Sequence, residues 1–256
     1  MHWVNKLLLP LKVQIVRGRK HTGILERPSN RVPREFTTEF NNRLGQLKGS
    51  RTDFLILEDF YYEAGEHPYN DETVQCVFAT SMLYEHQPES ILDIGSYRNF
   101  VIGLLANRKV ISLDVRERPP EVENETVLTC DAKAIALPDN SLDAVVSLCA
   151  LEHFGLGRYG DEFDLTADSV AMREMIRVLK PGGHLILTTQ VTPGQPAIAF
   201  NAHRIYSHHM IKKFCSGAEC LTEQFYDRKL REYRPLAEMP TEPGFYSIYC
   251  GCWQKS

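Results

Sequence analysis

The sequence predicts an α/β domain built on a mainly parallel sheet with helices on both faces, and three observations predict it. From residue 89 onward, short β-branched apolar runs alternate with stretches of helical period, the pattern of successive βαβ units. One helical stretch stops at Lys180-Pro181-Gly182-Gly183, where proline and glycine cannot continue it, and a strand pattern resumes. Acidic residues also stand at the ends of successive strands, Asp93, Asp114 and Asp131, on the sheet edge where open parallel sheets bind ligands.

The first strand is read at 90–94, followed by a helix at about 99–107. Strands at 109–114, 126–130 and 142–149 arrive next. A helix then carries Val170, Met172, Met175, Ile176, Val178 and Leu179, and the strand 184–190 follows its Pro-Gly stop. Ser207 is placed to cap a helix running to Phe214. The runs 221–226 and 245–253 read as closing strands, bringing the sheet to seven. No internal repeat and no low-complexity segment is visible.

With 256 residues, 43% apolar and 24% charged, the chain has the balance of a globular protein with one large domain and an appendage. The expected division is a basic N-terminal arm or cap at 1–65 and the α/β domain at 66–256. Residues 1–51 carry 11 Lys and Arg against 3 Asp and Glu, a balance of +8, which leaves −12 for the remainder. An acidic body argues against broad nucleic-acid binding. The arm suits phosphates, an anionic membrane surface or the acidic body itself. Its amphipathic start, Trp3 to Leu9 with Lys12, Arg17, Arg19 and Lys20 nearby, fits peripheral membrane contact, an oligomer contact or a lid. The apolar run 7–9 is broken by Pro10 and Lys12, far short of the roughly 20 residues of a membrane span, and lacks the form of a signal peptide. Seven cysteines, an odd number lying mostly in apolar runs, predict buried reduced thiols and a cytoplasmic protein.

At Asp93-Ile94-Gly95-Ser96, Gly95 lets the backbone approach a ligand, and the amides of the following helix would meet a carboxylate. Asp114, closing Val110-Ile111-Ser112-Leu113, has the position of an acid that accepts hydrogen bonds from both ribose hydroxyls. Asp131, followed by the small Ala132, is placed to accept from an adenine amino group. Together the three acids would clamp an adenosyl group.

These segments, with Leu137-Pro138-Asp139-Asn140-Ser141-Leu142-Asp143, Leu151-Glu152-His153-Phe154 and Arg177-Val178-Leu179-Lys180-Pro181-Gly182-Gly183, resemble consecutive motifs of the class I S-adenosylmethionine (SAM)-dependent methyltransferases over about residues 89–190. The resemblance implies a Rossmann-like class I methyltransferase fold. It also implies SAM as cofactor, held by Asp93, Gly95, Ser96, Asp114, Asp131, Ala132 and Cys149. One departure stands out: Tyr97, Arg98 and Asn99 follow Gly95-Ser96 where the family has further glycines, so Ser96 and nearby amides are expected to replace a full glycine loop. The segments 151–161 and 200–207 resemble a little-studied methyltransferase family associated with surface-polysaccharide or sugar modification. That narrower resemblance implies O-methylation of a sugar, glycan or other small hydroxylated acceptor, with Tyr159, Arg204 and Tyr206 on the acceptor side.

A sugar hydroxyl is a poor nucleophile at neutral pH, so its methylation asks for a general base or a metal. His153 is the candidate base, Glu152 has similar standing, and His203 follows the fifth strand in a stretch that would fold over the pocket. The bland alternative is an imidazole bonded to a backbone carbonyl. Glu152-His153 with a later histidine also resembles metal-dependent small-RNA 2'-O-methyltransferases and ubiquinone O-methyltransferases. Cys149 stands where a further acid would help, so no metal-ligand set is assigned. Methylation of a small metabolite or RNA ribose, and a non-catalytic methyltransferase-like binding module, are the competing readings. His208-His209 and Phe60-Tyr61-Tyr62 read as packing.

Overall fold

The computed structural model describes residues 34–50 and 70–256. The amphipathic start of the arm and Phe60-Tyr61-Tyr62 lie outside the described residues. The chain divides into two units, Met1–Pro68 and Tyr69–Ser256. In the first, Arg34–Ser50 forms helix α1, along which Arg43 pairs with Glu39 one turn away.

The second unit opens with α2, Asp71–His86, whose N-cap Asn70 accepts a hydrogen bond from the Thr73 amide. Sequence periodicity did not mark this helix, although it buries Val74, Phe78, Ala79 and Leu83. Then follow β1 (Ile91–Ile94), α3 (Arg98–Leu105), β2 (Val110–Asp114), β3 (Glu125–Thr129), β4 (Leu142–Leu148), a 3-10 turn (Leu151–His153), α4 (Ala167–Val178) and β5 (Leu179–Thr192). The chain closes with β6 (Ala197–Ala199), β7 (His203–Ser207), α5 (His208–Phe214), β8 (Ala218–Asp227), β9 (Glu232–Tyr233) and β10 (Ser247–Lys255). Ser207 caps α5 as its position predicts, accepting from the Met210 amide.

The sheet runs β3-β2-β1-β4-β5-β10-β8-β9. Strands β3 through β5 in that order are parallel, and β10 is antiparallel to both neighbours. The seven predicted strands are all present, with ends shifted by a residue or two except that β8 begins three residues and β5 five residues earlier. Three short strands correct the count among the described residues: β9 extends the edge, and the hairpin β6–β7 joins the end of β5 through β7. None is long enough to show alternation. The stretch after α4 is also corrected. Strand β5 begins at Leu179, paired with Leu142, and its Pro-Gly-Gly run is taken up by a register shift. A Cβ at Gly183 would meet the Lys180 and Asp143 carbonyls, so only glycine fits that shift.

Alternation along the parallel strands feeds two cores. Leu92, Val145, Leu185 and Leu187 pack with Met172, Met175 and Val178 of α4 on one face. Ile91, Ala144, Val146 and Ile186 pack with α2 and α3 on the other. Strands buried on both faces read as unbroken apolar runs, and their polar ends are thereby left at the edge where the site forms. Among the described residues no helix is long and apolar enough to cross a membrane. The sequence predicts buried cysteines: Cys215, Cys250 and Cys252 are buried, and Cys76, Cys130, Cys149 and Cys220 are half-buried.

Candidate active site

The ends of β1, β2 and β4 and the loop after β3 enclose a cleft of about 850 Å³, counting its open mouth. Of the predicted cofactor residues, Gly95, Asp114, Asp131, Ala132 and Cys149 line it, and so do His153 and Tyr159. Gly95 adopts φ +67°, and a Cβ there would stand 3.0 Å from that of Ala150, so the turn into the cleft requires glycine on both counts.

Asp93 and Ser96 instead line an adjoining hollow that shares Gly95 and Asp114 with the cleft. Asp93 is 4% exposed, and its Oδ1 has no hydrogen-bond partner. Burial raises its carboxyl to about 7, against hydrogen bonds from the Ser96 hydroxyl and amide. The Ser96 oxygen also accepts from the Leu148 amide. The Ser96 hydroxyl, expected to receive a ligand carboxylate, is thus tied between β1 and β4, and the buried oxygen without a partner is Asp93 Oδ1.

At the end of β2, the guanidinium of Arg116 holds both oxygens of Asp114 at 2.9 and 2.7 Å, and the Arg116 amide donates to Oδ1 as well. Against desolvation, these bonds hold the Asp114 carboxyl below its ordinary value. The acid expected to receive a ribose is already engaged. Asp131 is held more loosely: its Oδ1 accepts from the Lys133 amide at 2.8 Å, its Oδ2 lies 3.6 Å from the Lys133 ammonium, and its side chain is half exposed beside buried Ala132.

The end of β4 holds the reactive cluster. Cys149 has φ +54°, and its thiol donates to Glu152 Oε1 at 2.8 Å. Glu152 is fully buried, with Oε2 accepting from Thr189 Oγ1 at 2.9 Å. Glu152 thus sits beneath the cleft wall and does not itself line the cleft. His153 is half-buried at the wall, its Nδ1 2.5 Å from the Ala202 carbonyl oxygen. A carbonyl only accepts, so in this contact Nδ1 is the donor; a guanidinium nitrogen of Arg158, itself only a donor, lies 3.3 Å from the same Nδ1. The same carbonyl accepts from Arg158 at 3.0 Å.

The remaining candidates divide. The Tyr159 ring lies 5.8 Å from that of His153, with the guanidinium carbons of Arg116 and Arg158 5.4 and 5.3 Å from its centre. The His203 ring lies 6.4 Å from that of His153 and 5.4 Å from that of Tyr246, outside the cleft lining. Burial, then the nearby His153, Arg158 and Arg228, lower its pKa. Arg204 and Tyr206 are corrected. Arg204 is 5% exposed, donates to the Phe154 carbonyl and lies 3.4 Å from Asp168. Tyr206 is fully buried, with its hydroxyl donating to Asp168 at 3.0 Å. Both brace the wall from behind and have no surface to offer an acceptor. Sequence reasoning missed Arg116 and Arg158, whose nearness to Asp114 and His153 was the available signal.

Solved structures share this fold. The structure of the [4+2]-cyclase SpnF aligns with a TM-score of 0.53 at 15% identity, covering 86% of this chain and 92% of that one. The N-methyltransferase NodS of Bradyrhizobium japonicum, in complex with S-adenosylhomocysteine, aligns with a TM-score of 0.51 at 14% identity, covering 85% and 97%. The chain has the class I methyltransferase fold. At such identities the likeness is one of fold, and SpnF shows that the class I methyltransferase fold also carries other chemistry. Residues 113–233, under half of the chain, match the family model described as "Caenorhabditis protein of unknown function, DUF268". Over 85 residues the chain is 34% identical to the ubiquinone/menaquinone biosynthesis C-methyltransferase UbiE of Hahella chejuensis, 33% of this chain and 29% of that one. The matched stretch thus spans less than a third of the length of this curated relative.

Proposed function

We propose that this chain is a SAM-dependent methyltransferase that methylates an oxygen of a sugar, glycan or other small hydroxylated acceptor. The observation that carries the reading is a cleft that Gly95, Asp114 and Asp131 line together with His153, a histidine whose Nδ1 faces the Ala202 carbonyl and leaves Nε2 to take a proton. The UbiE relative and NodS are methyltransferases by name, and NodS holds the demethylated cofactor, which supports the cofactor assignment.

The residues present fit an adenosylmethionine group. The unpartnered, buried Oδ1 of Asp93 suits the ammonium of its methionine end. Gly95 gives close backbone approach, and Asp131 has an oxygen to offer an adenine amine. Asp114 suits the ribose once Arg116 lets go. When bound, SAM supplies an electrophilic methyl group.

On the acceptor side, His153 Nε2 receives the hydroxyl proton as the oxygen takes the methyl, and the Ala202 carbonyl steadies the charged imidazole through Nδ1. The exposed Tyr159 ring beside His153 offers a flat face to a sugar. Calorimetric titration with SAM and S-adenosylhomocysteine, followed by methyl-label transfer to glycan extracts, tests the proposal. Absence of binding heat with either compound overturns it, and binding without transfer to any glycan favours the binding-module reading.

A further inference from the structure

Glu152 is fully buried, and no lysine, arginine or histidine forms an ion pair with it among the described residues. Its two oxygens meet only a thiol and a hydroxyl, those of Cys149 and Thr189. A carboxylate withdrawn from water without a cation is costly. The cost is relieved if the site is built for a cation.

The cluster has the geometry for one. Cys149 Sγ, a Glu152 oxygen and a His153 ring nitrogen all lie within 4.8 Å of one another. Thiolate, carboxylate and imidazole are the donors a zinc-class ion takes, and three protein ligands with one open position make a catalytic rather than a structural set. The outer contacts match as well. The Ala202 carbonyl holds Nδ1–H of His153 and leaves Nε2 to ligate, and Thr189 anchors the second oxygen of Glu152. Cys149 keeps a left-handed backbone unusual for a side-chain-bearing residue. With His153 it lines the cleft, so the open position would face the acceptor.

We propose that Cys149, Glu152 and His153 bind one divalent, zinc-class cation at the wall of the cleft. Binding replaces the thiol proton of Cys149, which leaves to solvent, by a sulfur–metal bond. Binding itself is independent of the methyl-transfer reading. The role of the ion, to ligate the acceptor oxygen and favour its loss of a proton, rests on methyl transfer in this cleft; with His153 Nε2 on the ion, the acceptor proton leaves to solvent and the ion takes the place of His153 as the activating group.

Cobalt(II) is the probe, titrated into the full chain in the absence of SAM. One equivalent should give a thiolate-to-cobalt charge-transfer band in the near ultraviolet, displaced by Zn²⁺. With seven cysteines in the chain, the assignment needs Cys149→Ser, which should abolish the band. Thr189→Val, which removes only the anchoring hydroxyl, should weaken cobalt binding by about 10- to 100-fold. Circular dichroism checks the fold of each variant, and Glu152→Gln replaces Cys149→Ser if that variant does not fold. No band, or a band that survives Cys149→Ser or the Glu152→Gln that replaces it, overturns the proposal. SAM heat without a cobalt band removes the metal alone. A cobalt band without SAM heat removes methyl transfer alone.

Discussion

Arg116→Ala should tighten the binding of S-adenosylhomocysteine, although it deletes a cation from the cleft. In the structure both oxygens of Asp114 are held by Arg116, so a ribose that uses Asp114 must first displace the guanidinium. The Arg116 side chain is 65% exposed and that of Asp114 22%. A pair so open to water contributes about 0.5–1 kcal/mol. Releasing it in advance should raise affinity about 2- to 5-fold. Asp114→Ala deletes the acceptor instead: a hydrogen bond to a charged group contributes about 1.5–3 kcal/mol, so affinity should fall at least about tenfold. Because salt screens the exposed pair, raising ionic strength should narrow the gap between the wild-type chain and Arg116→Ala. Isothermal titration at two salt concentrations measures all three effects. Weaker binding by Arg116→Ala would show that the arginine touches the ligand, and the argument from competition would be wrong.

His153→Ala should keep cofactor affinity and lose turnover by about two to four orders of magnitude, read from single-turnover label transfer beside a binding isotherm. Tyr206→Phe removes the hydrogen bond to Asp168 and should cost about 0.5–1.5 kcal/mol in urea unfolding, while the acceptor KM stays the same; a changed KM would return Tyr206 to the acceptor site. Asp93 gives a pH dependence opposite to that of an ion-paired acid. Its folded value is raised to about 7 by burial, so the folded state binds the proton more tightly. Its contribution is therefore most favourable below the ordinary carboxyl value and is lost as pH rises towards 7. Ligand-free Asp93→Asn should show a flatter stability profile over that window, and SAM binding to the wild-type chain near pH 6 should release a proton, seen as a buffer-dependent heat.

How much of this was legible follows from the range over which each feature is decided. Strand alternation, the Gly95 turn and the Ser207 cap depend on a few neighbouring residues, and all appear in the fold where the sequence puts them. The short strands β6, β7 and β9 exist only through pairing with β5, with each other or with β8, so no local pattern announces them. Helix α2 escaped because its buried face includes Gln75, which bonds Tyr97 and Thr188, and a buried polar position blurs an apolar stripe.

The same distinction separates where a candidate residue stands from whether it is available. The strand ends bring Asp93, Asp114 and Asp131 to one edge, but their states differ through neighbours: Arg116 two residues on for one, a buried wall for another, open solvent for the third. Tyr206 and Arg204 met Asp168 from more than thirty residues away, a pairing that turned two plausible acceptor contacts into bracing. Glu152 and His153 are adjacent in sequence and bring ligand atoms within 4.8 Å of one another, and yet one is wholly buried while the other lines the cleft. The 3-10 turn that carries them, set by the Ala150 carbonyl accepting from the His153 amide, is what splits the pair. It places a carboxylate behind an imidazole, an arrangement that suits holding a charge at the cleft wall, whether a proton on His153 or a metal ion shared with Cys149.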